Sequence, residues 1–221
     1  MVFHFEKVFE YRNMLLNGIM MTLAITAASL VGAFVLSVPL ALIKLSKNKA
    51  LRAFGYVYTD IFRGLPALVQ LNIVYFAMPL LLNVSISAEL ASFITLSLNS
   101  AAYMSEAIRG GLQAIDVGQT EAAKALGVPY FRRMKDIIFP QAMRSVLPAL
   151  VNETVGLLKE TSLVSTVGVV DLMRAGKQIV ANAFLAFEPL ITVGIIYYVM
   201  VKILSVVAKA LEKRFGVSAR T

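Results

Sequence analysis

The sequence predicts an all-α membrane protein with five transmembrane helices. Of its 221 residues, 58% are hydrophobic and only 15% are charged, which is far from the usual balance of a soluble domain. The mean hydropathy is +0.76, and apolar runs extend over the whole chain. Because no soluble domain of useful size fits between these runs, we predict a single transmembrane domain over residues 1–221.

Five stretches are apolar and long enough to cross a bilayer, which takes about 20 residues in a helix. The first stretch is the longest, so we expect it to tilt or to extend beyond the bilayer. The predicted spans are residues 15–43, 65–82, 86–108, 146–170 and 187–208.

Lysine and arginine concentrate in three segments outside these spans, and short cytoplasmic loops accumulate such residues. The segments are 44–63, 109–144 and the C-terminal end, whereas the second-to-third connection has no charge and the fourth-to-fifth connection is nearly balanced. An outside N-terminus and a cytoplasmic C-terminus satisfy all of these loops. Because the basic residues are divided among three segments, a nucleic-acid partner is not expected.

The loop 109–144 is the only connection long enough to hold structure of its own. Asp116 is available to cap a short helix over residues 119–126, and Gly127 supplies the left-handed residue that ends it. A second, amphipathic helix follows from Tyr130 and ends at Pro140. The pattern predicts two helices joined by a tight corner.

The first of these short helices carries small side chains, and two functions fit it. Ala122 and Ala123 let another backbone approach closely, while Glu121 offers a charge to a partner's basic groups. The loop could therefore dock into another protein. It could equally be a connector whose basic residues meet lipid head groups. The residues alone leave both interpretations open.

Three longer motifs favour docking. The order Glu-Ala-Ala, then Gly127 and then Pro140 resembles the EAA loop of binding-protein-dependent ATP-binding-cassette importers. The stretches FRGLPALVQL, LNSAAYMSEAIRGGLQAIDVGQTEAAKALG and LLKETSLVSTVGVVDL resemble the membrane subunit of the polar amino acid branch of that family. Leu65 departs from the threonine that this branch often has, and the departure puts little in doubt.

The resemblance implies a type I, MetI-like permease architecture in a prokaryotic inner membrane. It implies that the loop docks into a separate ATPase through Glu121, Ala122, Ala123 and Gly127. The implied partners are two ATPase subunits that bind ATP and Mg, a second permease subunit that is a copy or a close relative, an extracytoplasmic amino acid binding protein and membrane lipid. No cofactor is expected in this chain itself.

The fourth predicted span contains three charges, which are costly at the centre of a bilayer. At 100° per residue, Glu153 and Glu160 share one stripe, and Asn152 and Lys159 share the adjacent stripe. This polar face could hold a structural ion pair between helices or line a path for solute. Two carboxylates against one ammonium favour a polar, preferably basic, amino acid, whose carboxylate Lys159 would hold.

Two further polar residues lie at plausible depth in the spans. Asn72 and Asn99 are candidates for substrate contact, although each fits a hydrogen bond between helices equally well. The substrate-binding set that we predict is Asn72, Asn99, Asn152, Glu153, Lys159 and Glu160.

The chain lacks the residues of most catalytic centres. It has no cysteine and one histidine, His4, which excludes histidine triads and predicts no metal site. No phosphate-binding loop occurs, so ATP hydrolysis needs another polypeptide. Two alternatives to the importer remain: a membrane hydrolase in which Lys159 activates Ser162, and a channel-like pore that needs no ATPase.

Overall fold

The computed structural model describes residues 4–214, which fold into helices with no strand among them. The predicted all-helical class is therefore confirmed. The α-helices are α1 (Phe5–Glu10), α2 (Arg12–Lys44), α3 (Lys49–Gly64), α4 (Ala67–Asn72), α5 (Met78–Leu82), α6 (Ala88–Gln113), α7 (Val117–Ala125), α8 (Tyr130–Arg132), α9 (Phe139–Glu160), α10 (Leu172–Ala183) and α11 (Phe187–Arg214).

Two of these helices, α2 and α11, are long and apolar enough to cross a membrane. The helix α3 and the segment Ala67–Leu82 pass the same test only when they are taken together. They count as a third span if they form one broken span, and the bend between them is 102°. The helices α6 and α9 have 26 and 22 residues, which is sufficient length at 1.5 Å per residue, but serines, asparagine and charges lower their hydropathy. The count of five spans stays a prediction.

The helix α3 is an element that the sequence analysis treated as a basic loop. It packs against α6, since the Tyr58 hydroxyl donates to the Leu98 carbonyl at 2.7 Å and the Arg63 guanidinium lies 5.2 Å from the Tyr103 ring centre. Asn48 begins the helix by accepting from the backbone N–H of Ala50 at 2.9 Å, as an N-cap does.

The bend between α3 and α4 is an elbow at Pro66. Proline has no N–H and cannot bond the carbonyl four residues earlier, which belongs to Phe62. The Gln70 side-chain amide supplies that donor at 2.8 Å and also donates to Leu65 at 2.9 Å. Asn99 of α6 adds a second bond to Phe62 at 3.1 Å. The elbow therefore keeps its carbonyls satisfied in an apolar environment.

Two π-helical segments, Ile73–Ala77 and Arg133–Ile138, each end two residues before a proline. A wider turn gives the ring of Pro79 or Pro140 room against the preceding carbonyls. The prediction that the second helix of the cytoplasmic loop ends at Pro140 was therefore wrong. Pro140 instead lies in the first turn of α9, and the chain stays helical through it.

The fourth predicted span, 146–170, is not a single α-helix. Its α-helical part is α9, which ends at Glu160 and continues as a 3₁₀ segment, Thr161–Val167. Four hydroxyls of this segment donate to carbonyls three residues earlier, at 2.6–2.8 Å, and compete with the α-helical ladder. Gly168 then takes a positive φ of 100°, which ends the segment.

The next connection also holds a helix, α10, that the sequence analysis did not predict. Buried Asp171 caps it by accepting from the backbone N–H of Arg174 at 2.9 Å and from the Tyr197 hydroxyl at 3.1 Å. On the helix, Lys177 donates to the Ser165 hydroxyl at 3.2 Å, so α10 is fastened to the 3₁₀ segment.

The core consists of three apolar clusters along α2. One joins α2, α6 and α9, the second adds α4 and the 3₁₀ segment, and the third joins α1, α2, α10 and α11. Most of α11 lies outside these clusters, since only 6% of its most apolar stretch is buried inside the chain. A long apolar helix with so little of its surface buried inside its own chain is typical of contact with lipid.

Candidate functional site

The loop of residues 109–144 begins with the short helix and tight corner that the sequence predicts, and the helix after the corner continues into α9. Asp116 caps α7 by accepting from the backbone N–H of Gly118 at 2.7 Å, as predicted. At the other end Gly127 has φ +70°, and the N–H groups of Gly127 and Val128 bond the carbonyls of Lys124 and Ala123, both at 2.9 Å. This is a Schellman motif, which requires a left-handed residue and so favours glycine.

Side chains of this loop are exposed where another protein could contact them. Leu126 is 82% exposed and Phe131 is 73% exposed, and Val117 and Tyr130 are also exposed. Glu121 and Ala122 lie on the exposed face of α7, whereas Ala123 is 3% exposed and packs inward. Apolar side chains clustered in a charged loop outside the spans are typical of an interaction surface.

The two stems of the loop, α6 and α9, are in close contact. A Cβ atom on Gly111 would overlap the Val146 side chain and would lie 3.2 Å from the Ala142 carbonyl oxygen. Ile108, Ile138 and Ala142 belong to the same buried cluster as Val146. Both ends of the loop are therefore anchored on long helices that pack tightly against each other.

The charges of α9 form a polar face that points out of the chain. Asn152 and Lys159 are exposed, and Glu153 and Glu160 are partly buried. Within residues 4–214, none of the recorded ion pairs involves Glu153, Lys159 or Glu160. A cavity of about 370 Å³ lies against this face, lined by Gly156, Lys159, Glu160, Ser162 and Leu163.

Neighbouring helices set the depth of this polar face. The Ser100 hydroxyl of α6 is buried beside Glu153, although its geometry falls short of a hydrogen bond. Leu157, one turn further along α9, packs in one cluster with Leu71 and Leu96. The face therefore lies level with the first half of α6 and with the elbow side of α4.

The two asparagines make hydrogen bonds inside the chain. Asn99 is 3% exposed and its amide donates to Phe62 and, at 3.2 Å, to the Gln70 side chain. Asn72 donates to Leu68 of its own helix at 2.8 Å. Asn99 thus supports the elbow. Asn72 is the next residue after Leu71, which packs in one apolar cluster with Leu157. Gln70, which completes the elbow, was not among the predicted residues.

The geometry does not favour the serine–lysine hydrolase. The Ser162 hydroxyl donates to the backbone carbonyl oxygen of Lys159 at 2.8 Å, so its proton is directed away from the lysine ammonium. A dyad requires the amine nitrogen to accept that proton.

A second charged cluster lies towards the C-terminal ends of α2 and α6, and the sequence did not predict it. The Lys44 side chain is fully buried and its ammonium donates to Ser105 and to Glu106, both at 2.8 Å. Arg109 donates to the other oxygen of Glu106 at 2.6 Å and 3.0 Å. The prediction that Lys44 lies in a loop was therefore wrong. A lysine directly after an apolar span looks the same in sequence whether it lies in a loop or is buried at the end of the helix.

The family comparison agrees with the motifs of the loop. The model of the family described as "Binding-protein-dependent transport system inner membrane component" matches residues 33–217. This match includes the whole cytoplasmic loop and the polar face of α9.

Relatives with assigned names are similar over nearly the whole chain. A putative glutamine transport system permease protein of Rickettsia bellii is 43% identical over 217 residues, covering 97% of this chain and 100% of the relative. The arginine transport system permease protein of Bacillus subtilis is 46% identical over 200 residues, covering 90% and 91%. Both are permease proteins, which agrees with the prediction that this chain is a transport subunit and that an ATPase site belongs to another subunit.

Solved structures support the same assignment. An amino acid ABC transporter crystallised with histidines has a TM-score of 0.90 at 36% identity, and the match covers 97% of this chain and 100% of the other. The methionine transporter MetNI, at 20% identity and a TM-score of 0.79, covers 91% and 96% and confirms the predicted MetI-like fold. By family match, relatives and fold, this chain belongs to the binding-protein-dependent transport system inner membrane components.

Proposed function

We propose that this chain is the transmembrane subunit of an ATP-driven importer that moves polar, preferably basic, amino acids into the cytoplasm. Its relatives named for glutamine and arginine transport support the class of solute. The observation that carries the proposal is the polar face of α9, which is partly exposed and has no ion pair within the described chain.

An exposed charged face is costly if it meets lipid. Insertion scales place the cost at about 2.5–3.5 kcal/mol for each charge at the helix centre. The face is therefore best satisfied by a second permease subunit and by water in a path between the two. We propose a dimer of this chain, or of this chain with a close relative, in which the two α9 faces border the path.

The charges of α9 fit the two ends of an amino acid. Lys159 is exposed and can hold the α-carboxylate, while Glu153 or Glu160 accepts the α-ammonium. The remaining carboxylate would bind a basic side chain by a charge-assisted hydrogen bond. The proposed substrate-binding set also includes Asn152, Asn72 and Asn99. Asn152 lies on the same stripe of α9 as Lys159, and Asn72 lies next to Leu71, which packs in one cluster with Leu157.

The loop of residues 109–144 is proposed to dock into a separate ATPase, one for each of two permease subunits. Glu121, Ala122 and Gly127 are exposed, whereas Ala123 is buried and faces the rest of the loop. The ATPases would bind ATP and Mg, and closure of the ATPase pair would move α6 and α9 through the contact at Gly111. ATP binding would turn the path outward, and hydrolysis would reset it.

The proposed orientation places the N-terminus outside and the C-terminus in the cytoplasm. The basic segments then lie on the cytoplasmic side. An extracytoplasmic binding protein would deliver the amino acid at the opposite face, where the connection before α6 and the helix α10 lie.

Crosslinking tests the docking, and the absence of native cysteine makes single-cysteine variants clean. We expect Leu126→Cys, whose parent side chain is 82% exposed, to crosslink to the ATPase in the assembled complex. The matched control is Leu81→Cys, at 81% exposure in α5, which should not crosslink to it. We also expect Glu121→Arg to abolish uptake, because it reverses the charge at the interface.

Two results would contradict docking through this loop. One is a tagged chain that purifies without an ATPase and still supports uptake, which is the behaviour of a channel-like pore. The other is full uptake by Glu121→Arg together with no crosslink from Leu126→Cys under any nucleotide condition.

A further inference from the structure

A second polar cavity, wide open to the surface of the chain, lies between α3 and α6, away from the face of α9. Its volume is about 650 Å³, and its walls include Tyr56, Asp60, Arg63, Tyr103 and Glu106. Small-molecule sites usually enclose about 300–1,000 Å³. Glu106 lies six residues beyond Ser100, the neighbour of Glu153, so the cavity is roughly 9 Å further along α6 at 1.5 Å per residue.

The charges of this cavity divide into satisfied and unsatisfied groups. Both oxygens of Glu106 are occupied, one by Lys44 and the other by Arg109. Asp60 and Arg63, by contrast, are exposed and make no hydrogen bond or ion pair within residues 4–214, although Arg63 lies over the Tyr103 ring. One carboxylate and one guanidinium therefore remain available to a ligand.

The positions of these two groups match an α-amino acid. Asp60 and Arg63 are three residues apart on one helix, so their side chains are neighbours. The ammonium and carboxylate of an α-amino acid are attached to a single carbon and need such adjacent partners. A guanidinium binds a carboxylate with two parallel hydrogen bonds, and tyrosines on both sides supply an aromatic wall for the side chain.

We propose that this cavity is a second amino acid site, which binds the α-ammonium and α-carboxylate of the solute after it leaves the α9 face. The proposal rests on the proposed function, since it assigns the same class of solute. Its selectivity differs, however. Lys44, Arg63 and Arg109 against Asp60 and Glu106 leave a net charge of +1, whereas the α9 face has −1. The cavity therefore favours neutral over basic side chains.

Equilibrium dialysis of the purified permease–ATPase complex in nanodiscs tests this site. With radiolabelled glutamine and arginine as probes and no binding protein present, we expect two classes of sites. Arg63→Gln and Asp60→Asn should each weaken the glutamine-preferring class by about tenfold or more, because each removes a hydrogen bond to a charged group. Arg52→Gln, an exposed arginine on the same helix, should change neither class.

Glu153→Gln separates this proposal from the proposed function. It should weaken only the arginine-preferring class, and a failure to do so contradicts the α9 site while leaving the cavity testable. A single class of sites that is insensitive to Arg63→Gln and Asp60→Asn would overturn the second site. The second site would also be overturned if the Arg63→Gln complex lost a copurified phospholipid while its amino acid binding stayed unchanged, because Arg63 would then bind lipid. Size-exclusion elution with the ATPase identifies variants that still fold.

Discussion

The two charged clusters of this chain each contain three charges, and they differ in how those charges are neutralised. We call Lys44, Glu106 and Arg109 the inner cluster. Lys44 and Arg109 both donate to Glu106, and the lysine is fully buried. We call Glu153, Lys159 and Glu160 the outer cluster. These three residues share one face of α9 and make no ion pair in the described chain. The inner cluster is closed within one chain, and the outer cluster is open.

This difference indicates separate roles. A buried charge that loses its partner is strongly destabilising, so the closed cluster should determine folding and the position of α2 against α6. A partly exposed charge without a partner contributes little to stability. It remains available to water, to a second subunit or to solute. We therefore expect mutations in the inner cluster to affect stability and mutations in the outer cluster to affect transport.

The largest effect should follow from Glu106→Leu. This change leaves the Lys44 ammonium buried with only Ser105 as a partner, and removing one member of a buried pair costs about 3–5 kcal/mol. We expect a large fall in the unfolding temperature of the purified complex. Glu89→Leu, an exposed glutamate in the first turn of the same helix, should cost less than about 1 kcal/mol.

A double variant sharpens this result. Adding Lys44→Met to Glu106→Leu removes both members of the pair, and apolar replacement of a buried pair is often neutral. We expect most of the lost stability to return. If the double variant is as unstable as Glu106→Leu alone, the unpaired lysine is not the cause of the loss.

An intermediate effect is expected at the elbow, which is closed by neutral groups instead of charges. Gln70→Leu removes the side-chain donor to Leu65 and one of the two donors to Phe62, since Asn99 still bonds Phe62; a carbonyl left unsatisfied in an apolar environment costs about 1–3 kcal/mol. Asn99→Leu should cost less, because Gln70 still bonds Phe62. The control is Asn72→Leu, which loses one bond within its own helix. Equal unfolding temperatures for all three variants would contradict a supporting role for the elbow amides.

The sequence predicted the parts of the fold that depend on local chemistry. The helix cap at Asp116 and the left-handed Gly127 are set by residues next to each other, and the structure confirms both. The end at Pro140 was predicted wrongly, because a proline in the first turn of a helix is as acceptable as one after its end. The preceding π-helical segment, which gives that proline room, has no sequence signal that we recognise.

Features that depend on distant contacts could not be predicted. Lys44 and Glu106 are 62 residues apart, and nothing local distinguishes a lysine that is paired in the core from one that follows a span. Gln70 and Asn99 have a role only because Pro66 leaves the Phe62 carbonyl without a donor. For α3, the basic residues indicated the membrane side and hid a helix that packs along α6.

The smallest effect on stability, and the most specific effect on transport, is expected from Glu153→Gln. Because Glu153 is partly exposed and has no ion pair, its loss should change the stability by no more than about 0.5 kcal/mol. Stimulation of ATP turnover by arginine, measured with the complete complex and its binding protein, should fall by about tenfold relative to stimulation by glutamine, since a charge-assisted hydrogen bond is lost. Glu89→Gln should leave both unchanged. An equal loss for the two amino acids would mean that the outer cluster serves assembly and does not select basic side chains, and a large loss of stability would mean that it is as closed as the inner one.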